Sequence, residues 1–317
     1  MVKGQDKRRL LFDRYSAQLE SMKELGVLGF DLKYEKAFIC PLCLEQFSVD
    51  DLDTSKENFL TLEDAPPKSL GGKANTLTCK KCNNRFGHEI DFHLVEKLNE
   101  LDVYSFQPKS GSKASFTHNG VKVQGIVNVD DKGNITVTHL EKTNNPGLLN
   151  KYVKTTGKGD TTTIKFPVSR VDFKKFEVAL LKTAYILAFE HYGYPLILSK
   201  AFDIVRAQLK NPTKDIYPTG FWTRQAAFNE TNTGVHLIKT LGLEGFQAIF
   251  LLKTQSRTTG FGVYLPVSHG TVLEVIERLK DIPAGFEMRF ESFKNTDYFD
   301  DKTNQKMCVD FMKKRNE

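Results

Sequence analysis

The chain has 317 residues, of which 40% are hydrophobic and 26% charged, with a net charge of +6. This is the composition of an ordinary soluble protein with room for two or three domains, and no segment is biased enough to be low-complexity. The mild basic excess admits a polyanionic partner without requiring one.

Four of the five cysteines form two C-x-x-C pairs. That is too sparse for a secreted disulfide scaffold. Residues 1–30 hold no apolar secretory core, because Lys3, Lys7, Arg8, Arg9, Asp13 and Arg14 interrupt them. The longest apolar run, Val178 to Phe189, is broken by Lys182 and is too short to span a bilayer. The expectation is a cytoplasmic protein with reduced thiols and no membrane partner.

In chain order, residues 5–25 read as a basic amphipathic helix, with Leu11, Tyr15, Leu19 and Met22 at helical spacing. Its cations face solvent or phosphate. Phe38 to Cys43 reads as a short strand entering the first cysteine knuckle. Residues 59–62 and 75–78 read as two short strands, and between them Pro66-Pro67 and Gly71-Gly72 force an irregular loop. A helix is expected over 83–101, with Phe86, Ile90, Leu94, Leu98 and Leu101 on one stripe. Residues 107–120 read as a linker. Alternating apolar residues over 121–137, joined by Thr161 to Val168, predict a small antiparallel sheet. Helices follow over 172–192, 199–210 and Ser268 to Asp281. Strands are expected over 246–253, 260–267 and 285–293, before a polar tail beyond Asn295. Tyr217, Phe221, Trp222 and Arg224 form an aromatic-basic group suited to core packing or to stacking on bases.

Cys40, Cys43, Cys79 and Cys82 have the spacing of a four-thiolate zinc site. Within each pair the two-residue gap lets both sulfurs face one tetrahedral ion. A closed set of four ligands points to structural rather than catalytic Zn²⁺. A redox C-x-x-C would need a thioredoxin-like context, which is absent. The ion staples strands too short to bury a core of their own.

Between the knuckles lie Glu63-Asp64-Ala65-Pro66-Pro67, Gly71-Gly72 and Asn75, and Asn83 follows Cys82, with Gly87 four residues on. This ordered combination resembles the HNH (ββα-metal, or His-Me finger) endonucleases. It is closest in pattern to their zinc-ribbon branch, typified by phage Holliday-junction endonuclease VII and HNH proteins of bacterial anti-phage systems. The resemblance covers residues 38 to about 98. It implies that Glu63 and Asp64 occupy the acidic-His position that binds a divalent ion and activates water. It further implies that Asn83 is a metal ligand on the helix and that Asn75 orients the general base. The chain departs from the family where Asp64 stands in place of the catalytic His, and Asn75 matches with a one-residue shift in spacing. Three accounts stay open: Asp64 replaces the His, His88 or His93 supplies the imidazole, or the site is inactive. On a helical wheel Asn83, Gly87 and Asp91 share a stripe with His88 beside Asp91, so Asn83, His88 and Asp91 can converge with Glu63 and Asp64.

The fold class expected is α+β. A basic N-terminal helix (1–30) precedes a small zinc-stapled ββα-metal module (31–106). A larger mixed α+β region (107–317) serves recognition or oligomerisation. The function expected is a nuclease that uses Mg²⁺ or Mn²⁺ at Glu63, Asp64 and Asn83 to hydrolyse phosphodiester bonds in nucleic acid, DNA in particular. Anti-phage defence, with a homo-oligomer or a defence-system partner protein, is the setting the resemblance suggests. The competing expectation is a non-catalytic zinc ribbon that binds nucleic acid or protein.

Overall fold

The computed structural model of the protein describes residues 4–283 and 286–316. The fold is mixed α+β, built of helices and small sheets. It divides into two compact units: residues 1–94, 172–252 and 259–317 form the first, and 95–171 with 253–258 the second. This division differs from a serial one at 30/31 and 106/107. The N-terminal helix and the knuckle segment share the first unit with most of the chain beyond 171.

The first unit begins with helix α1 (Gly4–Glu24), strands β1 (Phe38–Ile39) and β2 (Gln46–Phe47), and the hairpin β3 (Leu60–Ala65) and β4 (Lys73–Cys79). Helix α2 (Lys80–Phe86) follows the hairpin directly, so the strand-strand-helix order expected of this segment is present. Gly71 in the connecting loop has φ +89°, and a Cβ on Gly72 would lie 1.5 Å from the Pro66 carbonyl oxygen. The Gly-Gly pair is therefore required by this close backbone approach. The helix expected over 83–101 is interrupted. A π-helical turn at Gly87–Asp91 separates α2 from α3 (Phe92–Tyr104). Phe86, Ile90, Leu94 and Leu98 are all buried at four-residue spacing. That spacing overshoots an α-helical turn by about 40° per step, and one wider turn offsets the drift.

The chain then forms β5 (Gly111–His118), β6 (Val121–Val129), β7 (Ile135–Thr138), α4 (Pro146–Thr155) and β8 (Thr163–Lys165) of the second unit. These strands make an antiparallel sheet in the order β7-β6-β5-β8. Ala114, Phe116, Val123 and Val127 on one face pack with Tyr152 of α4. The linker expected at 107–120 is thus a correction: its second half is β5. Ala114, Phe116 and His118 alternate inward, a pattern masked by the polar residues between them.

Back in the first unit come α5 (Phe173–Tyr192), α6 (Tyr194–Ile197), α7 (Asp203–Lys210), β9 (Trp222–Arg224), β10 (Gly234–Ile238), β11 (Gly245–Lys253), β12 (Thr258–Leu265), α8 (Val272–Lys280), β13 (Phe290–Ser292) and α9 (Lys302–Lys314). The strands form a five-stranded sheet ordered β13-β10-β11-β12-β9. The strand expected over 285–293 is present only at its end, and its first residue, 285, lies outside the described residues. The expected polar tail contains α9, capped by Asp301 and burying Cys308, Val309 and Met312. Trp222 packs on Phe173, Phe176 and Phe261 and donates its indole N–H to Glu177, so the aromatic residues of this group pack into the core while Arg224 is exposed.

Helix α5 is the axis of the first unit. It starts at Asp172, whose side chain accepts from the Lys175 N–H, and ends at Gly193. Its residues from Phe176 to Ala188 are buried almost without break, and it packs on β3, β4, β10 and the π turn. Helix α1 buries Phe12, Tyr15 and Leu19 against the same core, where the Tyr15 and Phe189 rings stack 4.5 Å apart. Its arginines are engaged internally. Arg8 donates to the Leu52 and Leu60 carbonyls, Arg9 pairs with Asp13, and Arg14 lies 3.7 Å over the Phe299 ring.

One buried amide joins the ends of the unit. Gln18 donates to the Tyr192 and Tyr298 carbonyls at 3.1 and 2.6 Å and accepts from the Tyr194 N–H at 2.9 Å. Gly193 has φ +67°, and a Cβ there would lie 2.0 Å from Gln18 Oε1. Gln18→Leu leaves those three backbone groups unpaired. It is expected to lower stability by about 2–4 kcal/mol in urea unfolding. An unchanged midpoint would show that the amide contributes nothing.

Candidate functional site

Two side-chain clusters flank the junction of β4 and α2. The first is the cysteine set. The ligand atoms of Cys40, Cys43, Cys79 and Cys82 all lie within 4.8 Å of one another. Cys43 Sγ is 3.8 Å from Cys79 Sγ. A tetrahedral ion about 2.3 Å from each of four sulfurs sets them about 3.8 Å apart, so the cluster can hold a metal ion such as zinc. Burial pushes the Cys40 thiol well up, which makes a cation the natural means of holding it as thiolate. The first knuckle is fixed from outside: the Tyr185 hydroxyl donates to the Pro41 carbonyl at 2.6 Å. The Tyr194 hydroxyl accepts from the Ile39 N–H at 2.8 Å and donates to the Ile39 carbonyl at 3.0 Å.

The second cluster is polar and centres on Glu63, 3% exposed. Its Oε2 accepts from the Thr78 hydroxyl at 2.8 Å and from Asn83 Nδ2 at 3.2 Å. Its Oε1 pairs with Lys182 Nζ at 2.7 Å. The same ammonium pairs with Asp91 Oδ2 at 2.6 Å. Burial alone would lower the Lys182 ammonium, but the Glu63 and Asp91 charges hold it above its ordinary value, so it stays cationic. Asn83 also donates to the Leu62 carbonyl at 2.9 Å, and among the described residues no hydrogen bond engages its amide oxygen.

A bulge shapes the rest of the cluster. Glu63 pairs with Thr76 but Asp64 pairs with Ala74, so Asn75 is extra on β4. The exposed Asn75 side chain reaches Glu190 Oε2 at 3.5 Å. Asp64 is half-buried, and no hydrogen bond engages its carboxylate among the described residues. Desolvation and then the Glu63 charge raise its carboxyl, against Lys68, Lys7 and Lys182. Glu190 is pushed up to about 8, first by burial, with Glu63 and Asp64 adding to it. Burial likewise raises Asp91, against Lys182. Asp91 Oδ1, Glu190 Oε1, the Tyr15 hydroxyl and the Thr76 hydroxyl are buried without a protein partner. Glu63, Asp64, Asp91 and Glu190 thus crowd four carboxyl groups around one buried ammonium, and desolvation and mutual repulsion hold the last three toward the neutral form.

The structure brings Glu63 and Asn83 into direct contact and Asp91 to Glu63 through Lys182. Asp64 and Asn75 lie at the adjoining bulge. It does not bring in His88, which is exposed on the π turn and forms no hydrogen bond or ion pair among the described residues. His93 is buried and accepts the Asp172 N–H through Nδ1 at 3.1 Å, a structural role that leaves it outside the cluster. Neither candidate imidazole joins the cluster. Among the described residues, the cysteines are the one group of three or more Cys, His, Asp or Glu with such close ligand atoms.

Sequence reasoning missed Lys182 and Glu190. The signal for Lys182 was a lone charge inside the apolar run Val178 to Phe189. A buried ammonium in such a helix needs carboxylate partners, and Glu63 and Asp91 are those partners. Glu190 lies eight residues on, near the same helix face.

Comparison of the chain with protein-family models, with curated proteins and with solved structures gives no match. Among the described residues, no helix is long and apolar enough to cross a membrane.

The raised carboxyl of Glu190 gives stability a direction in pH. The folded state binds this proton up to about pH 8, whereas the unfolded state releases it near 4.5. Stability from this group is thus present below the unfolded value and falls as pH rises through that window. Glu190→Gln should match the parent near pH 5 and exceed it near pH 9 by more than about 1 kcal/mol, the equivalent of one pKa unit. Urea unfolding at both pH values checks this, and an equal difference at both would refute it.

Proposed function

We propose that the chain is a nucleic-acid phosphodiester hydrolase of the HNH kind, with structural zinc on the four cysteines and Mg²⁺ or Mn²⁺ at the acidic cluster. The observation that carries this reading is the contact between Glu63, at the end of β3, and Asn83, on the first turns of α2, with the free Asp64 carboxylate beside them. Asp64 and the uncommitted Asn83 amide oxygen are hard donors suited to a divalent ion. The unpartnered oxygens of Asp91 and Glu190 leave further hard donors in the same neighbourhood.

A divalent ion there supplies Lewis-acid stabilisation of charge developing on the phosphate. The chain supplies the rest. Glu63, held by Lys182 and Thr78, orients the Asn83 amide. Asp64 stands in place of a His, as a ligand to that ion or as the acceptor of the proton. Asn75 positions Glu190 from the bulge.

One observation favours a second reading, a non-catalytic zinc ribbon. Lys182 already pairs with both Glu63 and Asp91, where a divalent ion would otherwise sit.

Elemental analysis tests the zinc: about one Zn²⁺ per chain is expected, and Cys79→Ser should lose it. Cleavage of plasmid, branched and single-stranded substrates with added Mg²⁺ or Mn²⁺ tests the hydrolase. Asp64→Ala and Asn83→Ala should each reduce cutting by about 10²-fold or more while binding persists. Equal cutting by all three proteins removes the site assignment. Absence of cutting on every substrate establishes the second reading instead.

A further inference from the structure

Charge is divided unevenly between the two units. Residues 95–171 and 253–258 carry 13 of the 45 lysines and arginines but only 7 of the 39 carboxylates. The remaining residues hold 32 of each and are neutral. The whole +6 of the chain therefore resides in the second unit.

Within that unit the charge has a place. One face of the sheet is covered by the Phe116, Val123, Val127 and Tyr152 core. The other is open. The register sets Lys113 beside Ile126, Ser115 between Gln124 and Lys165, and Thr117 between Lys122 and Thr163. Thr138 and Thr136 extend these rows across β7 through Ile126 and Asn128. Lys113, Lys122 and Lys165 are exposed, and none forms an ion pair among the described residues. Strands β5 to β8 contain no Asp or Glu. At about 3.4 Å per residue and 4.8 Å between strands, the three lysine Cα atoms lie about 8 to 14 Å apart. That spacing spans successive backbone phosphates rather than one compact anion.

We propose that the open face of this sheet is a docking surface for a nucleic-acid backbone, with Lys113, Lys122 and Lys165 as phosphate contacts. Hydroxyls and amides around the lysines can donate to phosphate and sugar oxygens without reading sequence. The face presents no aromatic ring, and its one aliphatic residue, Ile126, is half-buried. It therefore offers nothing to insert into a lipid surface. This assignment shares its class of partner with the reading above, but it concerns binding alone.

The test is binding of labelled duplex and single-stranded oligonucleotides to the full chain at several salt concentrations, without added divalent ions. Lys113→Gln/Lys122→Gln/Lys165→Gln is compared with a control of equal charge loss, Lys23→Gln/Lys306→Gln/Lys313→Gln, made on exposed lysines of the first unit. Each lost phosphate contact lowers the slope of log K against log salt by about 0.9 for duplex and about 0.7 for single strands. The sheet variant should lose about 2 to 3 from that slope and weaken at least tenfold at about 50 mM salt. The control should change little, and a triple Lys→Arg variant should bind like the parent. Equal losses in the sheet variant and the control would overturn the proposal, as would binding to anionic vesicles or polyglutamate but not to nucleic acid. Intact binding with no cleavage would uphold this surface while removing the hydrolase. Cleavage with an unchanged salt slope would do the reverse.

Discussion

The ammonium of Lys182, sealed between Glu63 and Asp91, is the interaction on which the first unit depends. Moving either carboxylate or the ammonium out of water alone costs several kcal/mol, and only close pairing offsets it. The three groups come from β3, the π turn and α5, so those elements must meet in one geometry. From Glu63 the constraint passes to Thr78 and Asn83. These residues bracket Cys79 and Cys82 on the same few residues of chain. The acidic cluster and the cysteine cluster thus share a scaffold, and neither can shift without moving the other.

Much of this was legible because the signals were local. The cysteine spacing, the Gly-Gly turn, the Glu63 and Asn83 positions and the apolar length of α5 all sit within short windows. What escaped depended on distant partners. Lys182 lies 119 residues beyond Glu63, and Glu190 meets Asn75 across a similar gap. The charge in an apolar helix was visible, but its partners were not. Strand β5 was hidden because a half-exposed strand rich in Ser, Thr and Lys has the composition of a linker. Helix α9 was hidden because its buried stripe of Gln305, Cys308, Val309 and Met312 is short and its other faces are charged. The wheel that grouped His88 with Asp91 assumed a regular helix, and the π turn removes that assumption.

The two units also differ in how they treat charge. The first balances its acids and bases and buries some of them, as at Lys182 and at Glu177 beneath Trp222. The second keeps most of its lysines in water and builds its core from aliphatic and aromatic residues alone. Two of its buried polar side chains have partners within the unit: Asp102 pairs with Arg257 at 2.7 Å, and His118 faces the Thr155 and Thr161 carbonyls. A unit that carries an excess of cations over carboxylates retains a long-range field, whereas one that balances them retains shape.

The hydrogen bond from the Asp172 N–H to His93 joins the two places where the chain leaves and rejoins the first unit. Between them lie the 77 residues of 95–171. On a ribosome adding 5 to 20 residues per second, Glu63 waits roughly 6 to 24 s for Lys182 to be made. During that interval the hairpin, its bulge and the knuckles exist without the helix that closes them, and Glu63 keeps its charge in water. In the intervening sheet β5, β6 and β7 pair in sequence and can form meanwhile. Late arrival of α5 therefore places the pairing of Glu63 and Asp91 with Lys182 after the synthesis of most of the second unit.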